Sequence, residues 1–246
     1  MGATSLLWLL PWFALMPRAK RGRVEKTVSS PGLLQIMTRR EAWGTSLGMF
    51  ALGYVWIFLL TWLPSYLVNA RKFSMTQMAL FGSLPYWGMA ATSLMGGWIS
   101  DEWIARGASP TFVRKTFAVA GLSCCAGLLI PAALAVKNSL CMVLLIAAGT
   151  SLGLLTSNVW AITQTLAGAP AAGRWTGIQN FVGNLGGVIS PIVAGYVVQK
   201  TGSFTLAFTI CAAVLVLGAV SYLALVPQVA PVDWENQPDI APVPTK

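Results

Sequence analysis

The chain has 246 residues, of which 56% are hydrophobic and only 9% are charged, and its mean hydropathy is +0.68. Because soluble domains carry about 25% charged residues, this composition excludes an ordinary soluble domain and indicates an integral membrane protein. The net charge of +9 does not require nucleic acid as a partner. The basic residues cluster in short segments between apolar runs, which is the pattern of loops on the cytoplasmic side of a membrane.

The first 42 residues divide into an apolar part and a basic part. Residues 1–16 are apolar but shorter than the roughly 20 residues that a membrane-spanning helix needs. Residues 17–42 carry seven Lys and Arg side chains, and this order is the reverse of a signal peptide, in which the basic part comes first. We therefore interpret 1–16 as the end of a transmembrane helix and 17–42 as a basic cytoplasmic linker. The chain is expected to be a fragment of a longer protein.

Six apolar runs of spanning length follow and define a predicted transmembrane domain over residues 43–226. They cover 43–68, 75–99, 115–136, 140–166, 175–198 and 204–226. The segment 227–246 is rich in proline and acidic residues, and it is predicted to be a disordered cytoplasmic tail. Twelve basic residues fall on one side of this topology and four on the other. The richer side is expected to be cytoplasmic, so the first complete helix runs outward.

The residue types that hold metals or perform catalysis are scarce. There is no histidine, and all four cysteines lie in apolar runs: Cys124, Cys125, Cys141 and Cys211. We interpret them as small core residues and expect no metal and no cofactor. All seven acidic residues lie in loops, at helix ends or in the tail. With no nucleophile–base pair in the spans, the protein is not expected to be an enzyme. Without a buried carboxylate, the chain is also not expected to contain a whole proton-coupling apparatus.

The stretch from Thr156 to Pro191 carries polar side chains at mid-membrane depth, where unpaired polar groups are costly. They are Ser157, Asn158, Thr163, Gln164, Gln179, Asn180 and Asn184. Asn180 and Asn184 are four residues apart and share a helix face. Ser157, Trp160 and Gln164 share a face of the preceding helix, where the tryptophan offers an apolar wall and an N–H donor to a sugar-like solute. We predict that these five residues and Tyr54 line a solute cavity. The alternative for the amides is hydrogen bonding between helices.

A loop signature points to a family. Gly96, Gly97 and Asp101 have the spacing G-G-x-x-x-D and are followed by basic residues that include Arg106. This resembles the cytoplasmic loop of the major facilitator superfamily, in the copy between its eighth and ninth helices. The resemblance implies that Gly97, Asp101 and Arg106 belong to a gating loop on the cytoplasmic side.

Three longer stretches narrow the resemblance to one group in that superfamily. They are FLLTWLPSYLVNARKFS (58–74), SLPYWGMAATSLMGGWISD (83–101) and GIQNFVGNLGGVISPIVAGYVVQKTGS (177–203). Together they are similar to the anion:cation symporter family, whose members carry organic anions such as sugar acids and hexuronates. The resemblance implies an all-α membrane fold that comprises the end of helix six and helices seven to twelve, the C-terminal half of a transporter. It matches Ser157, Trp160 and Asn180 to contacts with the bound anion.

The predicted function is therefore a part in alternating-access symport of an organic anion with H⁺ or Na⁺. The expected partners are the anion, the coupling ion, the lipid bilayer and a missing N-terminal six-helix half. The expected location is a cell membrane, the inner membrane of a bacterium. Two alternatives stay open: a drug or neutral-sugar transporter of the same superfamily, and a non-transporting membrane subunit.

Overall fold

The computed structural model describes residues 6, 8–15 and 30–234, and in this part of the chain the secondary structure is helical with no strand. Residues 1–30 and 31–246 form two compact units. The first unit contains the short helix α1 (Leu9–Leu15). The helices of the second unit are α2 (Leu33–Met37), α3 (Arg40–Ser65), α4 (Met75–Ala105), α5 (Pro110–Leu134), α6 (Asn138–Thr201) and α7 (Phe204–Leu225). A π-helical turn, Tyr66–Ala70, extends α3.

Helix α6 is 64 residues long and breaks at Gly168, whose φ of 62° and ψ of 176° are not helical. Glycine has no Cβ, so it adopts this positive φ without strain. Pro170 follows at the start of the next turn, where the missing N–H of proline costs no helical hydrogen bond. The break divides α6 into a first arm, residues 138–167, and a second arm, residues 169–201.

The second unit therefore has six segments of spanning length: α3, α4, α5, the two arms of α6, and α7. In the described part of the chain, four helices are long and apolar enough to cross a membrane by length and composition, and α4 is as long but less apolar. The predicted all-α membrane fold is confirmed. The boundaries differ at α4, which continues past the predicted end at residue 99 to Ala105. Asp101 and Glu102 therefore lie within the helix although they are charged.

Glycines bring two pairs of helices into close contact. A Cβ added at Gly186 would lie 3.1 Å from the backbone nitrogen of Tyr54, so the second arm of α6 touches the α3 backbone. A Cβ added at Gly153 would overlap Met89 and Thr92, so the first arm touches α4 in the same way. In each pair, glycines further along one helix meet residues further along the other helix, so the two helices run parallel. Helices α5 and α7 pack against each other and complete the bundle.

Residues 226–234, which we call the strap, lie against the ends of the helices. Val232 N donates to the Leu166 carbonyl at 2.9 Å, and Trp234 Nε1 donates to the Ala167 carbonyl at 2.9 Å. These carbonyls end the first arm and would otherwise lack partners because the helix breaks at the next residue. Val229 is 4% exposed, and its N–H donates to Thr111 Oγ1 at 2.9 Å.

The strap corrects the prediction of a tail that is disordered from residue 227 onward. Val226 and Val229 are buried against the helix ends, and Val232 and Trp234 are half-buried. The proline-rich composition of the segment did not indicate this packing. The rest of the predicted tail, residues 235–246, lies outside the described residues. In the predicted linker, residues 17–29 also lie outside them, whereas α2 is described and buries Ile36 completely.

Candidate functional site

A cavity of about 300 Å³ lies between α3, α4 and the second arm of α6. Its lining is apolar except for two amides that extend from one face of the second arm. The residues that line it are Met49, Leu52, Gly53, Trp56, Ile57, Met89, Asn180, Gly183, Asn184 and Gly187. None of them carries a charge, so the cavity offers hydrogen bonds and apolar contacts but no ion pair.

The two amides are held differently. Asn184 Nδ2 donates to the backbone carbonyl of Asn180 at 2.8 Å, which fixes the Asn184 side chain along its own helix. The Asn180 amide has no hydrogen bond within the described part of the chain and is exposed. Gly183 and Gly187 lie between and beside the amides and let α3 approach. Asn180 therefore presents a free donor and acceptor to whatever occupies the cavity.

Trp56 supplies the aromatic wall of the cavity. Its ring packs edge-to-face against Tyr86 of α4, with centroids 5.5 Å apart and planes at 89°. The predicted residue Tyr54 does not line the cavity. It is 3% exposed and packs against Phe50 at 6.2 Å. Residues two apart on a helix point in nearly opposite directions, so only one of Tyr54 and Trp56 can face this space.

The three predicted residues on the first arm lie outside this cavity lining. Ser157 is half-buried at the α4 contact, where a Cβ added to Gly97 would lie 3.3 Å from the Ser157 Cβ. Trp160 is half-buried against the hydrophobic core, and Gln164 is exposed. The structure thus brings Asn180 and Asn184 together but does not place Ser157, Trp160 and Gln164 in the same cavity.

Other polar residues of the stretch bond between helices. Ser100 Oγ donates to Asn158 Oδ1 at 2.8 Å, with both residues 1% exposed. Thr163 Oγ1 contacts Gln179 Oε1 across the break in α6. These residues follow the alternative of interhelical hydrogen bonding. The buried Gln179 Nε2 has no hydrogen-bond partner among the described residues.

The predicted gating residues lie at the end of α4. Asp101 Oδ1 is 3.7 Å from Arg114 Nη2 of α5, and Arg106 Nε is 2.9 Å from Glu102 Oε1. Asp101 and Arg106 thus have different ion-pair partners, one across to α5 and one within α4. Sequence reasoning missed Arg114 because α5 begins at Pro110, five residues before the predicted span. A proline after a short polar loop was the available signal for that start.

The described residues contain no group of three or more His, Cys, Asp or Glu side chains that could hold a metal ion. The polar and aromatic groups in the cavity lining are the amides of Asn180 and Asn184 and the indole ring of Trp56. These groups suit a solute with hydroxyls and an apolar face.

Comparison with known proteins gives the family. The model of the Major Facilitator Superfamily matches residues 1–191. The chain is 28% identical to the D-galactonate transporter of Escherichia coli O6:H1 over 252 aligned positions, covering 92% of this chain and 57% of that protein. It is 31% identical over 200 positions to the probable galactarate/D-glucarate transporter GudP of Bacillus subtilis, covering 80% of this chain and 43% of that protein.

A solved structure shares the fold. A bacterial homologue of the human lysosomal transporter Spinster, in an inward-facing and unoccupied conformation, superposes with a TM-score of 0.59 at 14% identity. The match covers 90% of this chain and 56% of that one. The chain also spans about half the length of the curated relatives it matches. Because the family model covers most of its residues and the helical fold agrees, this chain belongs to the Major Facilitator Superfamily of multi-pass membrane transporters, as the loop around Asp101 predicted.

Proposed function

We propose that residues 43–226 form the C-terminal six-helix half of a secondary transporter for an organic anion such as a sugar acid or hexuronate. The two halves of such a transporter move against each other around a site near the bilayer midplane and open it to each side in turn. The relatives named as D-galactonate and galactarate/D-glucarate transporters support this solute class. The proposed coupling ion is H⁺ or Na⁺, and the proposed location is a bacterial inner membrane.

The observation that carries the proposal is the cavity itself. Its volume of about 300 Å³ is at the lower end for small-molecule sites, and Asn180 and Asn184 offer amides beside the Trp56 ring. A sugar acid has hydroxyls that accept and donate hydrogen bonds and C–H faces that pack on an indole. Its carboxylate needs a cation that this cavity lining lacks, so we assign charge recognition and ion coupling to the N-terminal half.

The residues outside the cavity take supporting parts in the proposal. Ser157, Trp160 and Gln164 are proposed as further solute contacts from the first arm when the site is open. Gly97, Asp101 and Arg106 are proposed to close the cytoplasmic side, with Asp101 exchanging its Arg114 partner as α4 and α5 shift. The 3.7 Å separation of that pair and the 73% exposure of the Asp101 side chain favour an exchange of partners.

The neutral lining also favours a second candidate, a transporter of neutral sugars. A drug transporter of the same superfamily would use the same apolar wall, and a non-transporting subunit would bind no solute. Uptake distinguishes these cases. Cells produce the chain alone or with the N-terminal half of the E. coli D-galactonate transporter, and co-purification shows whether the halves assemble. Accumulation of radiolabelled D-galactonate, D-glucuronate and D-glucose is then measured.

We expect the assembled pair to accumulate the two acids and not D-glucose, and the chain alone to insert in the membrane and accumulate nothing. Loss of uptake with a protonophore indicates H⁺ coupling, and dependence on external Na⁺ indicates Na⁺. Uptake of D-glucose without the acids by an assembled pair would favour the neutral-sugar candidate. Solute uptake by the chain alone would overturn the proposal of a half-transporter.

Asn180 is tested with Asn180→Leu in the assembled pair. The loss of one neutral hydrogen bond, about 0.5–1.5 kcal/mol, is expected to weaken the apparent affinity roughly two- to tenfold without reducing membrane insertion. Asn69→Leu is the matched control, because Asn69 is an exposed amide that bonds Ser65 on its own helix and lies outside the cavity lining. Unchanged uptake by the Asn180 variant would indicate that this residue contributes to helix packing and not to solute binding.

A further inference from the structure

A second and larger groove runs between the outer face of α5 and the end of α7. Its volume is about 580 Å³, and it has no part in the proposed solute site. Polar groups of Ser109, Thr111 and Lys115 lie at one end, and Phe112, Val119 and Leu223 form its walls. The groove is thus polar at the start of α5 and mainly apolar further along the helix, where Ser123 is the polar residue at its far end. A molecule with a head group and a tail has this distribution.

Among the described residues that line the groove, Lys115 is the only cation, and it is positioned by the protein. Its Nζ donates to the backbone carbonyl of Val226 at 2.6 Å, at the C-terminal end of α7. An ammonium group has three donors, so two remain for a ligand. Among the described residues Lys115 forms no ion pair, whereas the neighbouring Arg114 pairs with Asp101. Within the described part of the chain, no carboxylate pairs with the positive charge at the head of the groove.

Beyond its polar end, the groove runs along most of the thickness of one membrane leaflet. Lys115 and Ser123 both line it and are eight residues apart, which is about 12 Å along an α-helix. Half of the hydrocarbon core of a bilayer is about 15 Å thick. Phe112 and Leu223 are 58% and 57% exposed, so their side chains are available to pack on an acyl chain.

We propose that this groove binds one anionic phospholipid, with the head-group phosphate at Lys115 and an acyl chain along α5. The start of α5 lies on the side predicted to be cytoplasmic, where basic pockets between transmembrane helices meet anionic head groups. The lysine stem lies along the apolar wall while its ammonium reaches the head group. The hydroxyls of Ser109 and Thr116 make no hydrogen bond among the described residues, and they are placed to bond the phosphate and glycerol oxygens. This site serves the bilayer contact of the protein and does not depend on which solute is carried.

The test uses the chain in detergent micelles doped with phosphatidylglycerol or phosphatidylcholine of the same acyl composition. Native mass spectrometry counts the lipids that stay bound. A single membrane-proximal lysine contributes about 1 kcal/mol to binding of an anionic lipid, so we expect the unaltered chain to retain phosphatidylglycerol about fivefold better than phosphatidylcholine. Lys115→Gln is expected to abolish this preference and Lys115→Arg to keep it. Lys137→Gln, which removes an exposed charge at the opposite end of α5, is the matched control and is expected to keep it.

Two results would overturn the proposal. One is equal retention of the two lipids by the unaltered chain, a result that needs no variant to fold. The other is a phosphatidylglycerol preference that survives Lys115→Gln or is lost equally in the Lys137 control. A third arm separates the lipid from free phosphate: excess inorganic phosphate is expected to leave the lipid bound. Displacement by inorganic phosphate would show that the site recognises phosphate alone and would refute the lipid assignment.

Discussion

Gly153 gives the sharpest test of how the bundle is packed. It lies on the first arm of α6, where the α4 backbone comes close enough that an added methyl group has no room. A Cβ at this position would overlap the Thr92 hydroxyl and the Met89 carbonyl oxygen, and it would lie 2.9 Å from the Ser93 nitrogen. Two of these three atoms belong to the backbone, so a rotamer change cannot relieve the overlap.

Two effects of Gly153→Ala oppose each other. Alanine is favoured over glycine inside a helix by about 1 kcal/mol. Overpacking a tight interface costs about 1–3 kcal/mol, and backbone obstruction belongs at the upper end of that range. We therefore expect a net loss of about 1–2 kcal/mol in the free energy of unfolding. For a chain of this size each kcal/mol corresponds to roughly 2–4 °C, so Tm is expected to fall by roughly 2–8 °C.

The assay uses the cysteines of the protein. Cys125, Cys141 and Cys211 are free and buried, whereas Cys124 is free and exposed. With Cys124 replaced by serine in every variant, a thiol-reactive dye that becomes fluorescent on coupling reports unfolding in detergent. Gly177→Ala on the second arm of the same helix is the control, because a Cβ there meets nothing within 4 Å. Its Tm is expected to stay the same or rise by up to roughly 4 °C. A Gly153 variant as stable as the Gly177 variant would refute the close approach of α4 to the first arm.

Two further predictions concern hydrogen bonds that hold the helix ends and the helix interface. Trp234→Phe removes the hydrogen bond to the Ala167 carbonyl but keeps an aromatic ring on the strap. It is expected to lower the free energy of unfolding by about 0.5–1.5 kcal/mol and to speed proteolysis between residue 226 and the end of the chain. An unchanged digestion rate would mean that the strap does not cap the first arm. Asn158→Leu leaves the buried Ser100 hydroxyl without its partner and is expected to cost about 0.6–1.7 kcal/mol. Adding Ser100→Ala should restore part of that stability, and strict additivity of the two changes in Tm would argue against the bond.

The positions of the spans were predictable because each apolar run must cover the hydrocarbon thickness. Where helices end was less predictable, since hydropathy reports the solvent around a segment and not its hydrogen bonding. Asp101 and Glu102 are charged but continue α4 to Ala105. The gap between the predicted spans 140–166 and 175–198 reduces to a break at Gly168. Pro170 does not lengthen the break, because a proline is accommodated in the first turn of a helix.

The cavity was predictable in part from spacing. Asn180 and Asn184 share a face at four-residue separation, and both line the cavity. Spacing alone does not predict whether Tyr54 or Trp56 lines the cavity, because α3 is apolar around its circumference and an aromatic residue could lie on either face. Spacing also does not predict whether an amide lines the cavity or forms a hydrogen bond with another helix. Asn158 forms an interhelical hydrogen bond because Ser100, which is 58 residues away in the chain, lies opposite it.

The two glycine-mediated contacts of the bundle differ in how firmly they are held. Major facilitator halves contain two three-helix repeats, and here α3 to α5 form the first while the arms of α6 and α7 form the second. Such a repeat makes the contact of α4 with the first arm equivalent to the contact of α3 with the second arm. The first is fixed by three side-chain bonds from Thr92, Thr156 and Ser100.

The contact of α3 with the second arm has one interhelical side-chain bond among the described residues, from Trp175 Nε1 to Thr45 Oγ1 at 3.0 Å, near the start of both helices. Beyond it the helices touch through glycines, and the cavity opens there beside Asn180. A contact without directional bonds can change its spacing at less cost than one that must break them. If the chain adjusts to a solute, we therefore expect α3 and the second arm to move apart beyond Thr45, while α4 and the first arm stay together as the fixed frame.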